Sequence, residues 1–391
     1  MPNPWLTVCA LSLGPVVGNG FARFGYALLL PAMKLDMAWS YTQAGWINTA
    51  NAIGYLIGAA LTLRLIGRLS AKQLFRWGMV LTALALGLSG LTRDFGMLLA
   101  WRLLSGLGAA PVFIAGSVMA AAMFAPNARR SAMAIAVYFG GAGAGIVLTG
   151  LCLPLIVEWF GSASWPTGWL LLGACSALAT AAAWRASAVS VSATTRRGDD
   201  GSLPWLSMLP SLASYFLFGT GYIVYMTFLI AWMRLHQASV ASIVATWVCL
   251  GAAVIASPWI WRRALGEWSA ARPLAATVSG TAIGALIPVL FPTPAASLLS
   301  AAIFGVSFFM PPASVTAYTR KTLPPRLWGR AVALYTTVFS VGQILGPIGA
   351  GWLADASGSL RSGLLVAAGI LFAGGVAAML QHNPKLHEEP S

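Results

Sequence analysis

The sequence predicts an all-α polytopic membrane protein with twelve transmembrane helices. Hydrophobic residues make up 58% of its 391 residues and charged residues only 8%, whereas about a quarter of the residues of a soluble protein are charged. Apolar stretches of about 20 residues, each long enough to cross a bilayer as a helix, recur along the whole chain. A water-soluble fold is therefore excluded, because too few polar side chains exist to cover its surface.

Each predicted helix is an apolar stretch bounded by loop residues. The twelve stretches comprise residues 5–30, 42–63, 74–92, 96–124, 131–158, 166–186, 204–232, 239–261, 273–291, 294–320, 329–355 and 359–380. The longest polar break, residues 187–203, is rich in Ser and Thr. It divides the chain into an amino-terminal six-helix bundle, residues 1–186, and a carboxy-terminal bundle with a short polar tail, residues 204–391.

The distribution of positive charge predicts how the helices are oriented. Of the 23 Lys and Arg residues, seventeen fall on the side that carries both termini, four on the opposite side and two inside helices. Because cytoplasmic loops are enriched in Lys and Arg, both termini are predicted to lie in the cytoplasm. The net charge of +14 is then loop charge, and no nucleic-acid partner is expected.

The two halves of the chain match each other at a constant offset of 201 residues. The aligned pairs are Gly18 with Gly219, Gly20 with Gly221, Leu28 with Leu229, Trp46 with Trp247, Pro111 with Pro312, Arg129 with Arg330, Gly141 with Gly342, Gly145 with Gly346 and Gly150 with Gly351. Six helices per repeat means that both repeats start on the same side of the membrane, so the bundles are parallel. Two such bundles can rock around a site at their interface and expose it to each side in turn.

Three pairs of glycines lie four residues apart, so that each pair shares one helix face. They are Gly54 and Gly58 on helix 2, Gly141 and Gly145 on helix 5, and Gly342 and Gly346 on helix 11. Small residues at this spacing let helix backbones approach closely, either in static packing or at a moving interface.

Twelve helices in two parallel sets of six resemble the major facilitator superfamily of transporters, and local motifs agree in part. The segment from Arg102 to Gly108, with Gly106 between them, resembles the superfamily's helix-4 pattern R-x-x-x-G-x-G, which is implicated in proton coupling. Only Gly67 and Arg68 match the gating motif of the loop after helix 2. The antiporter-type pattern G-x-x-x-G-P is incomplete on helix 5 and fuller on helix 11, where it ends at Pro347.

The opening of the chain is more specific. The segments Gly20–Met33 and Asn48–Tyr55 are similar to the YbfB/YjiJ-type bacterial branch, which consists mostly of predicted transporters. The resemblance implies a multi-pass protein of the bacterial inner membrane. It narrows the fold far more than the substrate.

Polar residues inside the predicted helices are the candidates for a substrate site. An arginine inside a membrane helix costs several kcal/mol unless it faces a cavity, a partner or the interface. Arg23 and Arg102 are each predicted about 10 Å below the outer boundary, where two guanidinium groups would form a fork for a carboxylate, sulfonate or phosphate. The alternative is that each reaches outward to Asp36 or Asp94 and pins the end of its helix.

The second half offers tyrosines but no charge at the matching depth. The predicted substrate-binding set comprises Asn19, Arg23, Tyr26, Asn48, Asn51, Arg102, Tyr138, Tyr222, Tyr225, Tyr335 and Gln343. A cavity with one cationic and one aromatic wall suits a small amphipathic anion with an apolar or planar body. For any single tyrosine, packing in the core is favoured over contact with a ligand.

The predicted function is secondary active transport of a small organic solute by alternating access, with proton coupling through Asp94 or, second, Asp36. No acid lies at mid-membrane, so a uniporter remains an alternative, as do a drug or metabolite exporter of the same fold and a non-transporting sensor. No phosphate-binding loop of the G-x-x-x-x-G-K-[ST] type supports direct ATP drive. With three His and no suitable cluster, we expect neither enzyme activity nor a metal or other cofactor. The expected partners are the substrate, the bilayer and protons, and the expected oligomeric state is a monomer.

Overall fold

The computed structural model describes residues 3–65, 68–125, 127–188, 203–269, 271–324 and 327–382. These residues form twelve long helices and no β-strand. The helices are α1 (Pro4–Asp36), α2 (Tyr41–Leu65), α3 (Ala71–Ser89), α4 (Phe95–Ala122), α5 (Ala128–Phe160), α6 (Trp165–Ala188), α7 (Leu209–Leu235), α8 (Val240–Glu267), α9 (Arg272–Leu290), α10 (Pro294–Thr322), α11 (Trp328–Ser357) and α12 (Leu360–Met379).

Ten helices of the described chain are long and apolar enough to cross a membrane. The other two, α2 and α3, are less apolar for different reasons. Helix α2 carries Asn48 and Asn51 in its middle, and α3 begins with Lys72 and Arg76. Both asparagines are buried against neighbouring helices, so the polarity of α2 is directed into the protein.

Helix α1 is longer and less regular than the sequence predicts. The predicted end at residue 30 is wrong, because the helix continues through Pro31 to Asp36. Proline is tolerated in membrane helices where neighbouring groups satisfy the freed backbone. Residues Val16–Phe24 form a π-helix, which was not predicted. Within it, a side chain at Gly20 would clash with the backbone of Gly145 on α5, so a glycine is required for this crossing.

Two further helices differ from the predicted bounds and a third is interrupted, while the other bounds agree within about three residues at each end. Helix α7 starts at Leu209 instead of residue 204, with Pro210 in its first turn, where a missing N–H costs nothing. Helix α8 continues to Glu267, which pairs with Arg263 one turn earlier. Helix α10 is interrupted at Phe309 and Met310, just before two prolines restart it.

The twelve helices form two parallel six-helix bundles, α1–α6 and α7–α12, with the same internal neighbours. Helix α4 packs on α2 and α3 as α10 packs on α8 and α9, and α3 packs on α6 as α9 packs on α12. Between the bundles, α2 contacts α11, α5 contacts α8 and α1 contacts α7. An offset of six helices exchanges the first two contacts, as a parallel repeat requires. The boundaries 1–186, 187–203 and 204–391 stay a prediction, and most of the linker lies outside the described residues.

An even number of spans returns the chain to its starting side. We call the side that carries the ends of the chain the terminal side and the opposite side the distal side. The distal side includes Asp36 at the end of α1, Tyr41 at the start of α2 and Asp355 near the end of α11.

The predicted glycine pairs pack inside the bundles. A side chain at Gly54 or Gly58 would clash with α4, and one at Gly106 with α2. In the same way, Gly141 and Gly145 face α1. Gly342 and Gly346 do the same against α7.

Different glycines lie where the bundles meet. Gly45 faces the carbonyl oxygen of Pro347, and Gly143 faces that of Gly251. Gly67 lies outside the described residues, and Arg68 is exposed at the end of α2.

Candidate functional site

A chain of hydrogen bonds joins the two bundles at the central level. Arg23 on α1 donates from Nη2 to Oε1 of Gln343 on α11, at 2.5 Å. Gln343 donates from Nε2 to the hydroxyl of Tyr222 on α7. The ring of Tyr55 on α2 lies 5.2 Å from the guanidinium carbon of Arg23. We call Arg23, Gln343, Tyr222 and Tyr55 the central site.

The central site is closed in this arrangement. Arg23 is 6% exposed, Tyr222 is 4% exposed and Gln343 is fully buried. Nε of Arg23 is buried and makes no hydrogen bond to any described residue. A buried arginine donor normally has a partner, so the site has an unused donor at the contact between the bundles.

Aromatic rings surround the central site on several helices. Phe24 meets Phe308 of α10 edge to face, with ring centres 5.8 Å apart. Tyr222 stacks on Phe308 and on Phe339 of α11, at 5.8 and 5.7 Å. Such rings can accept a planar apolar group beside a buried cation.

A second group of rings lies between the central site and the terminal side. We call it the aromatic collar, and it comprises Tyr55, Phe113, Phe139, Phe309 and Phe339 on α2, α4, α5, α10 and α11. Phe113 stacks on Phe139 at 4.5 Å, and Phe139 approaches Phe309 across the bundles at 6.5 Å. All five are partly exposed, including Tyr55 and Phe339, which also contact the central site, whereas Phe24, Tyr222 and Phe308 are buried. The rings between the bundles are therefore more accessible on the terminal side of Arg23 than beside it.

On the distal side, hydrogen bonds between α2 and α11 close the interface. Asp355 of α11 accepts from the backbone N–H groups of Tyr41 and Thr42, at 2.9 and 2.8 Å, and from the Thr42 hydroxyl at 2.6 Å. The first N–H groups of a helix have no partner within it, and its N-terminus favours a negative charge. One aspartate thus supplies what α2 lacks and ties it to the other bundle. We call this contact the distal seal.

Arg102 has surroundings of another kind. It is 1% exposed, and none of its three guanidinium nitrogens has a hydrogen-bond partner among the described residues. Its guanidinium carbon lies 5.0 Å from the ring centre of Trp169 and 5.6 Å from that of Tyr26. Both rings belong to the same bundle as Arg102. The charge is therefore held by ring faces inside one bundle.

The sequence predicts the same depth for Arg23 and Arg102. In the structure their depths differ. Arg23 lies thirteen residues before the distal end of α1 at Asp36, because α1 continues past Pro31. Arg102 lies at the level of Tyr26, about one helical turn nearer to the distal side. Arg23 and Tyr26 contact different helices, since Arg23 bonds to α11 and Tyr26 stacks on Trp169 of α6. A fork made by both arginines stays a prediction.

The two candidate acids have other partners. Asp36 accepts from Arg93 at 2.6 Å and from the ring nitrogen of Trp165 at 2.8 Å, which joins the distal end of α1 to the loop before α4 and to the start of α6. Asp94 accepts from the backbone N–H of Met97 and caps α4. Neither acid pairs with Arg23 or Arg102, so the alternative in which they pin those arginines is not observed. A role for either acid in proton coupling stays a prediction.

The asparagines of the predicted site differ in whether they contact the other bundle or their own. Asn48 donates to Thr227 on α7 at 2.5 Å and so joins the bundles beside the central site. Asn51 donates to Ser105 at 2.9 Å and stays within the first bundle. Asn19 is buried in the π-helix of α1.

The predicted tyrosines other than Tyr222 lie in the packing of single bundles. Tyr26 donates to the carbonyl oxygen of Ala44, and Tyr138 to that of Val112. The Tyr225 hydroxyl shares a hydrogen bond with Ser300, and that of Tyr335 shares one with Ser211. Their assignment to a substrate stays a prediction.

Sequence reasoning missed three parts of the site. Thr227 looks like an ordinary helix residue in the sequence. Only the structure shows that it accepts a hydrogen bond from Asn48. Asp355 is an acid near a helix end, and its partner is the start of α2, more than 300 residues earlier. The collar phenylalanines could have been found from their position on the helices that line the interface.

Comparisons with known proteins agree with this architecture. Residues 15–379 match the family model described as the uncharacterised MFS-type transporter YbfB, where MFS is the major facilitator superfamily. The chain belongs to this family of transporters. The match covers almost all of the chain, so the resemblance inferred from the opening segments is confirmed, and the protein is a multi-pass membrane protein of the transporter type.

Two curated relatives are also transporters. The inner membrane transport protein YdhP of Escherichia coli is 28% identical over 195 residues, which cover 50% of this chain and 46% of that protein. The uncharacterized MFS-type transporter YceJ of Bacillus subtilis is 26% identical over 243 residues, which cover 59% and 60%. The chain thus spans about half the length of the curated relatives it matches.

Solved structures share the fold of this YbfB-type chain. A point mutant of the nucleoside transporter NupG has a TM-score of 0.74 at 14% identity, with 97% of this chain and 100% of that chain covered. A bacterial homolog of the human lysosomal transporter Spinster, in an inward-facing and unoccupied conformation, has a TM-score of 0.70 at 14% identity, with 99% and 100% covered. At this identity the similarity establishes the major facilitator fold and nothing about the substrate.

Proposed function

We propose that this chain is a secondary transporter that carries a small organic anion with a planar or apolar body by alternating access. The supporting observation is Arg23, a buried cation where the two bundles meet, with an unused Nε donor and aromatic rings around it. A buried charge is costly unless a partner compensates for it, so a positive charge at this place favours an anionic cargo.

Alternating access follows from the unequal closure of the two sides. The distal seal joins the bundles beyond the central site, while the partly exposed collar leads from the site toward the terminal side. With both termini in the cytoplasm of a bacterial cell, this arrangement presents the path to the cytoplasm. Opening to the other side then requires the contacts of Asp355 with α2 to break.

Flux through reconstituted proteoliposomes tests the proposal. Labelled aromatic and aliphatic carboxylates are supplied with and without a pH gradient in either direction, so that import, export and proton coupling are measured separately. We expect carboxylate flux that falls at least tenfold in Arg23→Lys, since lysine keeps the charge but cannot present two parallel donors. The matched control is Arg93→Lys, whose arginine pairs with Asp36 at the distal surface.

Two results would contradict the proposal. Equal losses in Arg23→Lys and Arg93→Lys would show that Arg23 has no special role in the cargo site. The absence of carboxylate flux both with and without a pH gradient, in protein shown to be folded, would favour the sensor interpretation.

A further inference from the structure

The guanidinium edge of Arg23 is half occupied. An arginine side chain presents Nε and Nη2 as two parallel donors on one edge, which match the two oxygens of a carboxylate. In Arg23, Nη2 donates to Gln343 and Nε is buried without a partner among the described residues. A single amide oxygen therefore fills one of two adjacent donor positions.

Gln343 is held in this position from its other end. Its Nε2 donates to the Tyr222 hydroxyl, and the side chain is fully buried. The amide thus stands where one oxygen of an anion would stand. It also makes the polar contact between α1 of the first bundle and α11 of the second.

We propose that Gln343 is a built-in competitor for the cargo and that a planar organic monocarboxylate displaces it from Arg23. The incoming carboxylate pairs with Nε and Nη2 together, and the link between α1 and α11 is released as it binds. This inference rests on the proposed function and adds the cargo's chemical class and the residue that couples its binding to movement of the bundles.

A carboxylate suits this edge better than a neutral amide. Its two oxygens are coplanar and negatively charged, so they make two charge-assisted hydrogen bonds in place of one weaker bond. The rings of Phe24 and Phe308 meet edge to face beside the site, and a flat apolar body would pack between them once the bundles separate. Benzoate is therefore the probe, and neutral benzamide of nearly the same shape is its control.

Variants of Gln343 should change benzoate binding in opposite directions. Gln343→Leu removes the competing acceptor, and we expect the dissociation constant of benzoate to fall about fivefold to tenfold. Gln343→Glu supplies a tethered carboxylate that occupies both donors, and we expect binding to weaken at least tenfold. The matched control is Gln381→Leu, since Gln381 is a buried glutamine of the same bundle that bonds to Ser207 and Ser211.

Equilibrium titration of the full-length protein in detergent gives these constants. Opposite shifts in the two Gln343 variants, with Gln381→Leu like the wild type, support the inference. If benzoate binding depends on Arg23 but both Gln343 variants bind as the wild type does, the inference is overturned and the proposed function stands. If wild-type binding of benzoate does not depend on Arg23 at all, the proposed function itself fails.

A second measurement keeps the inference testable should the Gln343 variants not fold. Spin labels at Leu35→Cys and Phe291→Cys report the distance between the distal ends of the two bundles, in a protein whose four native cysteines are replaced. Both positions are well exposed, at 73% and 62%. We expect saturating benzoate, but not benzamide, to broaden or lengthen the distance distribution, whereas an unchanged distribution would overturn the release of α11 from α1.

Discussion

Arg23 and Arg102 are two fully enclosed arginines about one helical turn apart in depth, yet their partners differ in kind. Arg23 reaches a polar group on the other bundle, Gln343, while Arg102 faces Tyr26 and Trp169 of its own bundle and donates no hydrogen bond to a described residue. The hydrogen bond of a charge that reaches across the interface must break when the bundles separate. A charge enclosed by its own bundle moves with that bundle as a rigid part.

The largest effect should follow from removing the charge of Arg23. Arg23→Met leaves an apolar side chain of similar length, so the fold should persist while the anion loses its charged partner. Truncating one side of a buried, hydrogen-bonded charge pair costs about 2–5 kcal/mol, and we expect benzoate binding to weaken at least about thirtyfold. Titration measures the loss of benzoate affinity, with Arg93→Met as the control. Unchanged binding in Arg23→Met would show that Arg23 is not the charged partner of the anion.

The next largest effect should come from the distal seal, a polar link between the bundles on the distal side of the central site. Asp355→Ala removes three hydrogen bonds to the start of α2, so the population open on the distal side should rise about tenfold. The distance between labels on Leu35→Cys and Phe291→Cys reports this population. Asp355→Asn retains an acceptor oxygen and should shift the population less, and equal behaviour of wild type and Asp355→Ala would mean that α2 and α11 are held by other contacts.

A smaller effect should follow from changing the ring that faces Arg102. The ring nitrogen of Trp169 has no hydrogen-bond partner in the described part of the chain, so Trp169→Phe loses ring area and quadrupole but no observed polar partner. We expect the free energy of unfolding to fall by about 1–2 kcal/mol, measured by denaturant titration in detergent. In an Arg102→Met background the same change should cost measurably less, because the cation is gone. Identical costs in both backgrounds would show that the ring does not stabilise the charge.

The smallest effect on binding is expected for Arg102→Met. Since Arg102 makes its contacts within one bundle, benzoate affinity should stay within about twofold of the wild type. Replacing a buried charge by an apolar side chain is often neutral or stabilising, so the protein should not unfold more easily. Its helix-4 motif resembles one implicated in proton coupling, and gradient-driven accumulation is the property that this variant could lose. A loss of binding as large as that of Arg23→Met would erase the distinction between the two arginines.

Much of the fold could be predicted because most membrane helices can be recognised from their own length and apolar composition. Twenty apolar residues in a row need no information from the rest of the chain, and the repeat then relates one bundle to the other. Helix ends near proline were less predictable, as the continuation of α1 through Pro31 shows. The π-helix of Val16–Phe24 depends on how closely α1 meets α5 at Gly20, which is a property of packing.

The sequence predicts only those site residues that are energetically costly to place inside a membrane helix. Arg23 stands out because a charge inside a membrane helix needs a reason, and its burial at the interface agrees with that expectation. Its partner Gln343 lies 320 positions later, and neither the pairing nor its direction is encoded in local spacing. Arg102 shows the same difficulty, since ring faces and carboxylates are equally good reasons for a buried arginine until the neighbours are known.

A structure of the full-length protein with bound 4-bromobenzoate tests the central claim most directly, since the anomalous signal of bromine locates the ligand. The account predicts a carboxylate within hydrogen-bond distance of both Nε and Nη2 of Arg23, with Gln343 turned away. Bromine beside Arg102, or bound ligand with the Arg23–Gln343 hydrogen bond intact, would contradict it.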